Sequence, residues 1–146
     1  MKARVLSIYA DGLLDEIQSA VQYCKASSVP EKGARCISAI ANWDTGASIS
    51  FISHDVIRAL GLVPSAQVRI RHSQGESVSY SYEVNIRLSG DIIIQDVTVL
   101  EGEVNLIGMD IIQMGDMAIT NRDGRTVFSF QIPSAHRIDF KESAEL

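Results

Sequence analysis

The stretch that decides the reading is Ile37-Ser38-Ala39-Ile40-Ala41-Asn42-Trp43-Asp44-Thr45-Gly46-Ala47-Ser48-Ile49-Ser50-Phe51-Ile52. A strand spanning Ala34 to Trp43 delivers a carboxylate, Asp44, at its end, followed by two residues that commonly form turns. Taken alone, Asp44-Thr45-Gly46 would be an ordinary β-turn. No second Asp-Thr-Gly or Asp-Ser-Gly occurs in the sequence, and Asp11-Gly12 and Asp123-Gly124 read as turn dipeptides. Upstream, Leu13 to Cys24 fits two patterns. Leu13, Leu14, Ile17, Val21 and Cys24 form a helical stripe, while Ile17, Ser19, Val21 and Tyr23 alternate as in a strand. The polar Ala26–Gly33 segment resembles a hairpin loop, which favours a strand from Glu16 to Lys25.

Downstream, Ser53 is a plausible N-cap for a short helix from Asp55 to Leu60, with Gly61 as its stop. Gln67–His72 and Val78–Leu88 alternate as a long hairpin around the polar tip Ser73-Gln74-Gly75-Glu76-Ser77. Tyr80, Tyr82, Val84, Ile86 and Leu88 are expected to share one face. Strands at Ile92–Gln95 and Val97–Leu100 follow, with Glu101 and Glu103 in a solvated loop. Val104–Gly115 reads as a buried strand, a tight glycine and a short helix. Met117–Thr120 and Thr126–Ile132 form a hairpin around Asn121–Gly124. Val5–Ala10 is a first strand, and the polar tail from Pro133 is expected to fray. There is no repeat and no low-complexity tract. The pattern predicts an all-β, closed barrel-like fold with one or two short helices. Residues 1–12 would be an N-terminal extension or extra strand, 13–133 the domain proper, and 134–146 a polar tail.

The 146 residues, 46% hydrophobic and 21% charged, suit one globular domain with its own core. A net charge of −5 with scattered basic residues argues against nucleic acid as a partner. No apolar run approaches membrane-span length, and none resembles a secretory signal. A cytoplasmic location is therefore expected. Cys24 and Cys36 lack metal-ligand spacing. They could face each other across a hairpin, but a reduced pair is the expectation in a cytoplasmic protein. His54, His72 and His136 show no triad or metal spacing and are expected at the solvated surface, and Asp110 is expected as a first-turn helix carboxylate. No metal and no cofactor are expected.

Three features occur in order: apolar-Asp44-Thr45-Gly46-Ala47, a glycine-bearing hairpin, and Asn105-Leu106-Ile107-Gly108-Met109-Asp110-Ile111-Ile112. Together they resemble the retropepsin-like aspartic peptidases, in their non-viral single-domain form, over about Glu16 to Ile132. The resemblance implies a homodimer with Asp44 as the catalytic residue, one carboxylate from each subunit. Thr45 and Gly46 would support the active-site loop, and Leu106-Ile107-Gly108 would pack beneath it. Ala47, Ser48 and the hairpin tip Ser73, Gln74, Gly75 and Glu76 would contact substrate. Two departures from the retroviral pattern occur together. Ser48 and Ile49 replace the aspartates usual after the motif, and Met109 replaces an arginine that pairs with one of them.

The chemistry implied is hydrolysis of an extended peptide by a water held between two carboxylates that share one proton. The alternatives are a peptide-binding module that has lost turnover and a domain that dimerises for its own stability.

Overall fold

The computed structural model describes residues 2–26 and 35–143. In chain order its elements are β1 (Arg4–Tyr9), β2 (Gln18–Lys25), β3 (Cys36–Trp43), β4 (Phe51–Ser53), α1 (His54–Leu60), β5 (Ala66–His72), β6 (Gly75–Leu88), β7 (Ile92–Gly102), β8 (Asn105–Ile107), α2 (Met109–Ile112), β9 (Asp116–Thr120), β10 (Val127–Ile132) and α3 (Phe140–Ser143). Seven strands form one sheet in the order β2-β3-β8-β4-β7-β6-β5. Pairing of β2 with β6 closes six of them into a barrel, leaving β5 bonded only to β6. The remaining three form a second sheet, β1-β10-β9.

The ambiguous segment before Cys24 is a strand, with alternate residues Ser19, Val21 and Tyr23 buried and Gln18, Ala20 and Gln22 exposed. Period-2 burial also marks β6, where Tyr82, Val84, Ile86 and Leu88 face the core. Each contributes roughly 1.5–3 kcal/mol of burial. Tyr80 does not join this buried set, because pairing to β7 stops at Ser81↔Leu100 and the hairpin continues alone beyond that rung. The two strands expected over 92–100 are one. Asp96 takes a positive φ of 54°, at a β-bulge where its N–H is bonded to Asn85 Oδ1 (2.9 Å). At α1, Ser53 Oγ accepts from Val56 N–H and Gly61 terminates the helix in the left-handed conformation.

Three expectations are corrected. Cys24 and Cys36 form a disulfide: the β2–β3 register sets them directly opposite, with Cα atoms 4.1 Å apart. Glu101 belongs to β7, not to a solvated loop. The tail does not fray from Pro133, since Asp116 at the start of β9 accepts hydrogen bonds from Ser134 Oγ and the N–H groups of Ala135 and His136. These bonds hold the Asp116 carboxyl well below the usual carboxylate range. Beyond residue 26, the predicted hairpin loop lies outside the described residues, as does the end of the tail from 144. The first strand runs at the outer edge of the three-stranded sheet, paired to β10 over Arg4↔Ile132 to Tyr9↔Val127. Among the described residues no helix is long and apolar enough to cross a membrane.

Candidate active site

β3 ends at Trp43, whose buried ring packs between Phe128 and Phe130 of β10, with centroids 4.8 and 5.0 Å away. Its indole N–H donates to Ser19 Oγ (2.9 Å). A bulky aromatic just before the carboxylate therefore ties the barrel to the second sheet and fixes where the strand stops. Trp43 N–H donates to Ile17 O (2.8 Å), and Asp44 N–H donates to Ile107 O (2.9 Å). The chain then turns, with Ala47 N–H reaching Asp44 O (3.3 Å).

Within the turn, Gly46 N–H donates to Asp44 Oδ1 (2.8 Å), which fixes the rotation of the carboxylate. Asp44 is partly buried, and Thr45 and Gly46 are exposed. The turn is held from beneath by the start of α2. Met109 N–H donates to Ala47 O (2.8 Å). Gly108 lies so close that an added Cβ would stand 2.8 Å from both Ala47 O and Ile49 O, so only glycine fits. Its N–H donates to Ser50 Oγ (3.0 Å), and that hydroxyl donates to Asp110 Oδ1 (2.7 Å). Asp110 Oδ2 accepts from Ser50 N–H (3.0 Å), while Oδ1 also accepts from Ile111 N–H (3.0 Å). Asp110 is thus a clamp on the loop as well as a first-turn carboxylate. Asn105 joins three strands: its Oδ1 accepts from Ser53 N–H (2.8 Å) and its Nδ2 donates to Ile40 O (3.1 Å).

Asp44 and Thr45 line a cavity of about 350 Å³ together with Leu106 and the β9 residues Met117 and Ile119. Asp15 and Glu16 line it as well, and the sequence reading did not single them out. The signal available was their position just before Ile17, whose carbonyl meets Trp43. Ser48 faces elsewhere, into a second cavity of about 360 Å³ with Ile49, Thr98 and Met114. Ser73, Gln74, Gly75 and Glu76 are exposed at the hairpin tip, where Gly75 has φ 125° and Glu76 pairs with Arg71 (3.2 Å). Among the described residues no hydrogen bond joins this tip to the Asp44 loop. The structure therefore brings together Asp44, Thr45, Gly46, Ala47, Leu106, Ile107 and Gly108, and leaves the expected substrate contacts of the hairpin apart from them.

The family described as aspartyl protease matches residues 39–111, half of the chain, including the Asp44 turn and the strand–glycine–helix block. The chain belongs to the aspartyl protease family. Its fold is retropepsin-like, mostly β with a closed six-stranded barrel and few helices. A retropepsin-like aspartic protease from Rickettsia conorii superposes with a TM-score of 0.52, at 12% identity, covering 90% of this chain and 96% of that one. The EIAV protease complexed with the inhibitor HBY-793 superposes with a TM-score of 0.48, at 20% identity, covering 69% of this chain and 88% of that one. A search among curated proteins finds no match. Family and fold together support a protease-type function.

Proposed function

We propose that the protein is an aspartic endopeptidase whose active site forms when two copies place their Asp44 carboxylates side by side. The observation that carries this reading is the over-determined Asp44 turn: Gly46 N–H holds one carboxylate oxygen, while Ile107 and the Gly108–Asp110 block hold the backbone on both sides. The Gly46 bond alone is an ordinary Asx turn; the added bonds from Ile107 and the Gly108–Asp110 block, which hold the backbone around the carboxylate, support a built site. One Asp44 per chain supplies half of a dyad. The second sheet suggests how the other half arrives. Among the described residues β9 is an edge paired only with β10, and Met117 and Ile119 on it line the same cavity as Asp44. An exposed edge strand with apolar side chains beside the site is a surface for a twofold-related copy to cover.

Two like charges brought this close repel, so the pair of Asp44 side chains holds one proton between them. The ionised member takes a proton from the bridging water as it attacks the scissile carbonyl. The protonated member donates to the developing oxyanion. In this reading Thr45, exposed beside Asp44, bonds across the dimer axis to its symmetry mate. The β5–β6 hairpin is the flap, closing over an extended peptide that binds as an added strand. A reducing cytoplasm would not retain the Cys24–Cys36 bridge, so that bridge pulls against the expected cytoplasmic location. Thiol titration of protein isolated under alkylating conditions decides between the two. For the activity, the test is digestion of a peptide library at mildly acidic pH with Asp44→Asn as control. Cleavage by the parent alone supports the reading. Peptide binding without cleavage would make the protein a binding module instead.

A further inference from the structure

Glu101 lies where the hairpin leaves the barrel. The β6–β7 ladder ends at Ser81↔Leu100, so Tyr80 is the first β6 residue beyond the pairing with β7. In place of a strand partner, Tyr80 N–H donates to Glu101 Oε1 (3.1 Å), and Ser79 Oγ donates to the same oxygen (3.3 Å). The other oxygen, Oε2, stands 3.5 Å from Nε2 of His54, the first residue of α1. Among the described residues, these are the side-chain bonds that tie residues 66–80 to the barrel; the backbone tie at the root is Ser81, which pairs with Ala66 and accepts from Ser65 N–H (2.8 Å), while the other side-chain bonds of the segment are internal, such as Gln67 to Tyr80 and Arg71 to Glu76. Among the described residues β5 pairs with β6 alone. Ser79 is buried and Glu101 partly so, whereas Tyr80 and His54 are exposed, so the Ser79 bond is the one shielded from competing water. Burial first, and the Glu101 charge second, push the Tyr82 hydroxyl above the ordinary phenol range, in keeping with a carboxylate close to the core at this junction.

We propose that Glu101 is a positioning residue for the β5–β6 hairpin, pinning its root to the barrel and to α1 and so governing how the hairpin closes on a bound peptide. This rests on the reading of the hairpin as a flap. A carboxylate suits the role because it accepts from both donors of the root at once, whereas a barrel with no such side chain would leave Tyr80 N–H to water and the hairpin held at its root by the backbone at Ser81 alone.

The test compares Glu101→Ala and Glu101→Gln by amide hydrogen exchange and by steady-state cleavage of a peptide that the parent cleaves. Removing a hydrogen-bonded charge should speed exchange about tenfold across residues 66–79 in Glu101→Ala, while Tyr82, Val84 and Val99 keep parental protection. KM should rise about tenfold with kcat little changed, and Glu101→Gln, which keeps an acceptor oxygen, should recover most of both. Faster exchange confined to the Tyr80 amide would overturn the proposal, as would a loosened hairpin with unchanged KM. Should Glu101→Ala fail to fold, Ser79→Ala, which removes one of the two root donors, should give the same pattern at smaller amplitude, and an unchanged hairpin there overturns it. If the parent cleaves no peptide, the peptidase reading fails, and the exchange data alone decide whether Glu101 pins the hairpin.

Discussion

The Asp44 turn and the β5–β6 hairpin are both exposed loops, yet they are held in opposite ways. The turn is bonded at Asp44, Gly46, Ala47 and Ser50, and a buried glycine is pressed against its backbone. The hairpin extends from the barrel on its own ladder and, among the described residues, is tied to the body at its root alone, by Glu101 and by the bonds between Ser65 and Ser81. A site that must present a carboxylate in one orientation is built rigid, and an element that must move is built with few ties. The two regions should therefore respond differently to mutation.

The largest effect is expected at Asp44. Asp44→Asn keeps the turn, since an amide oxygen still accepts from Gly46 N–H, but removes the acid and base. Turnover should fall about 10³-fold or more with the melting temperature near parental. A parallel loss of stability would mean that the carboxylate is a structural part. Next is Gly108→Ala, which drives a methyl group into two carbonyl oxygens at 2.8 Å. It should destabilise the whole domain by about 2–3 kcal/mol in denaturant unfolding and reduce activity with it. Gly75→Ala, at a φ of 125° with open space around it, should cost about 1–2 kcal/mol locally. The loss should appear as weaker amide protection in the hairpin, with little change in global melting temperature. Equal global losses at Gly108 and Gly75 would remove the contrast between a rigid loop and a loosely tied one.

The smallest effect concerns the tail. Asp116 is ionised more readily in the folded chain than in the unfolded one, so its bonds to Ser134, Ala135 and His136 add stability above the ordinary carboxylate range. That contribution should persist through mild acid and fade only as pH falls towards the lowered folded value. Asp116→Asn should loosen residues 134–136 at neutral and mildly acidic pH alike, and should converge with the parent only in strong acid. Thermal melts as a function of pH check this. A difference that vanished at mildly acidic pH would contradict the assigned direction.

The pattern of what was legible follows the range of each interaction. The Asp44 turn, the Ser53 cap, Gly61 and the Leu106-Ile107-Gly108 block announce themselves because neighbouring residues carry their chemistry. The Cys24–Cys36 pairing depends on strand register across a loop, which alternation alone does not set. Glu101 reads as loop because the run of strand-forming residues stops at Leu100. Its role becomes visible only when β6 outruns β7 and leaves Tyr80 N–H without a strand partner. Asp15, Glu16 and Asp116 belong to the same class. Their partners are distant in the sequence, and a lone acidic residue reads as solvated surface until the fold supplies a neighbour.

The central claim is that a working site needs two chains. It is tested most directly by mixing the parent, under conditions that allow subunit exchange, with increasing amounts of Asp44→Asn chain and measuring cleavage per parent molecule. A shared dyad predicts that activity falls as the inactive chain captures parent chains in mixed dimers, towards zero at large excess. Activity per parent molecule that stays constant while mixed dimers form would show that each chain works alone, and would contradict the account.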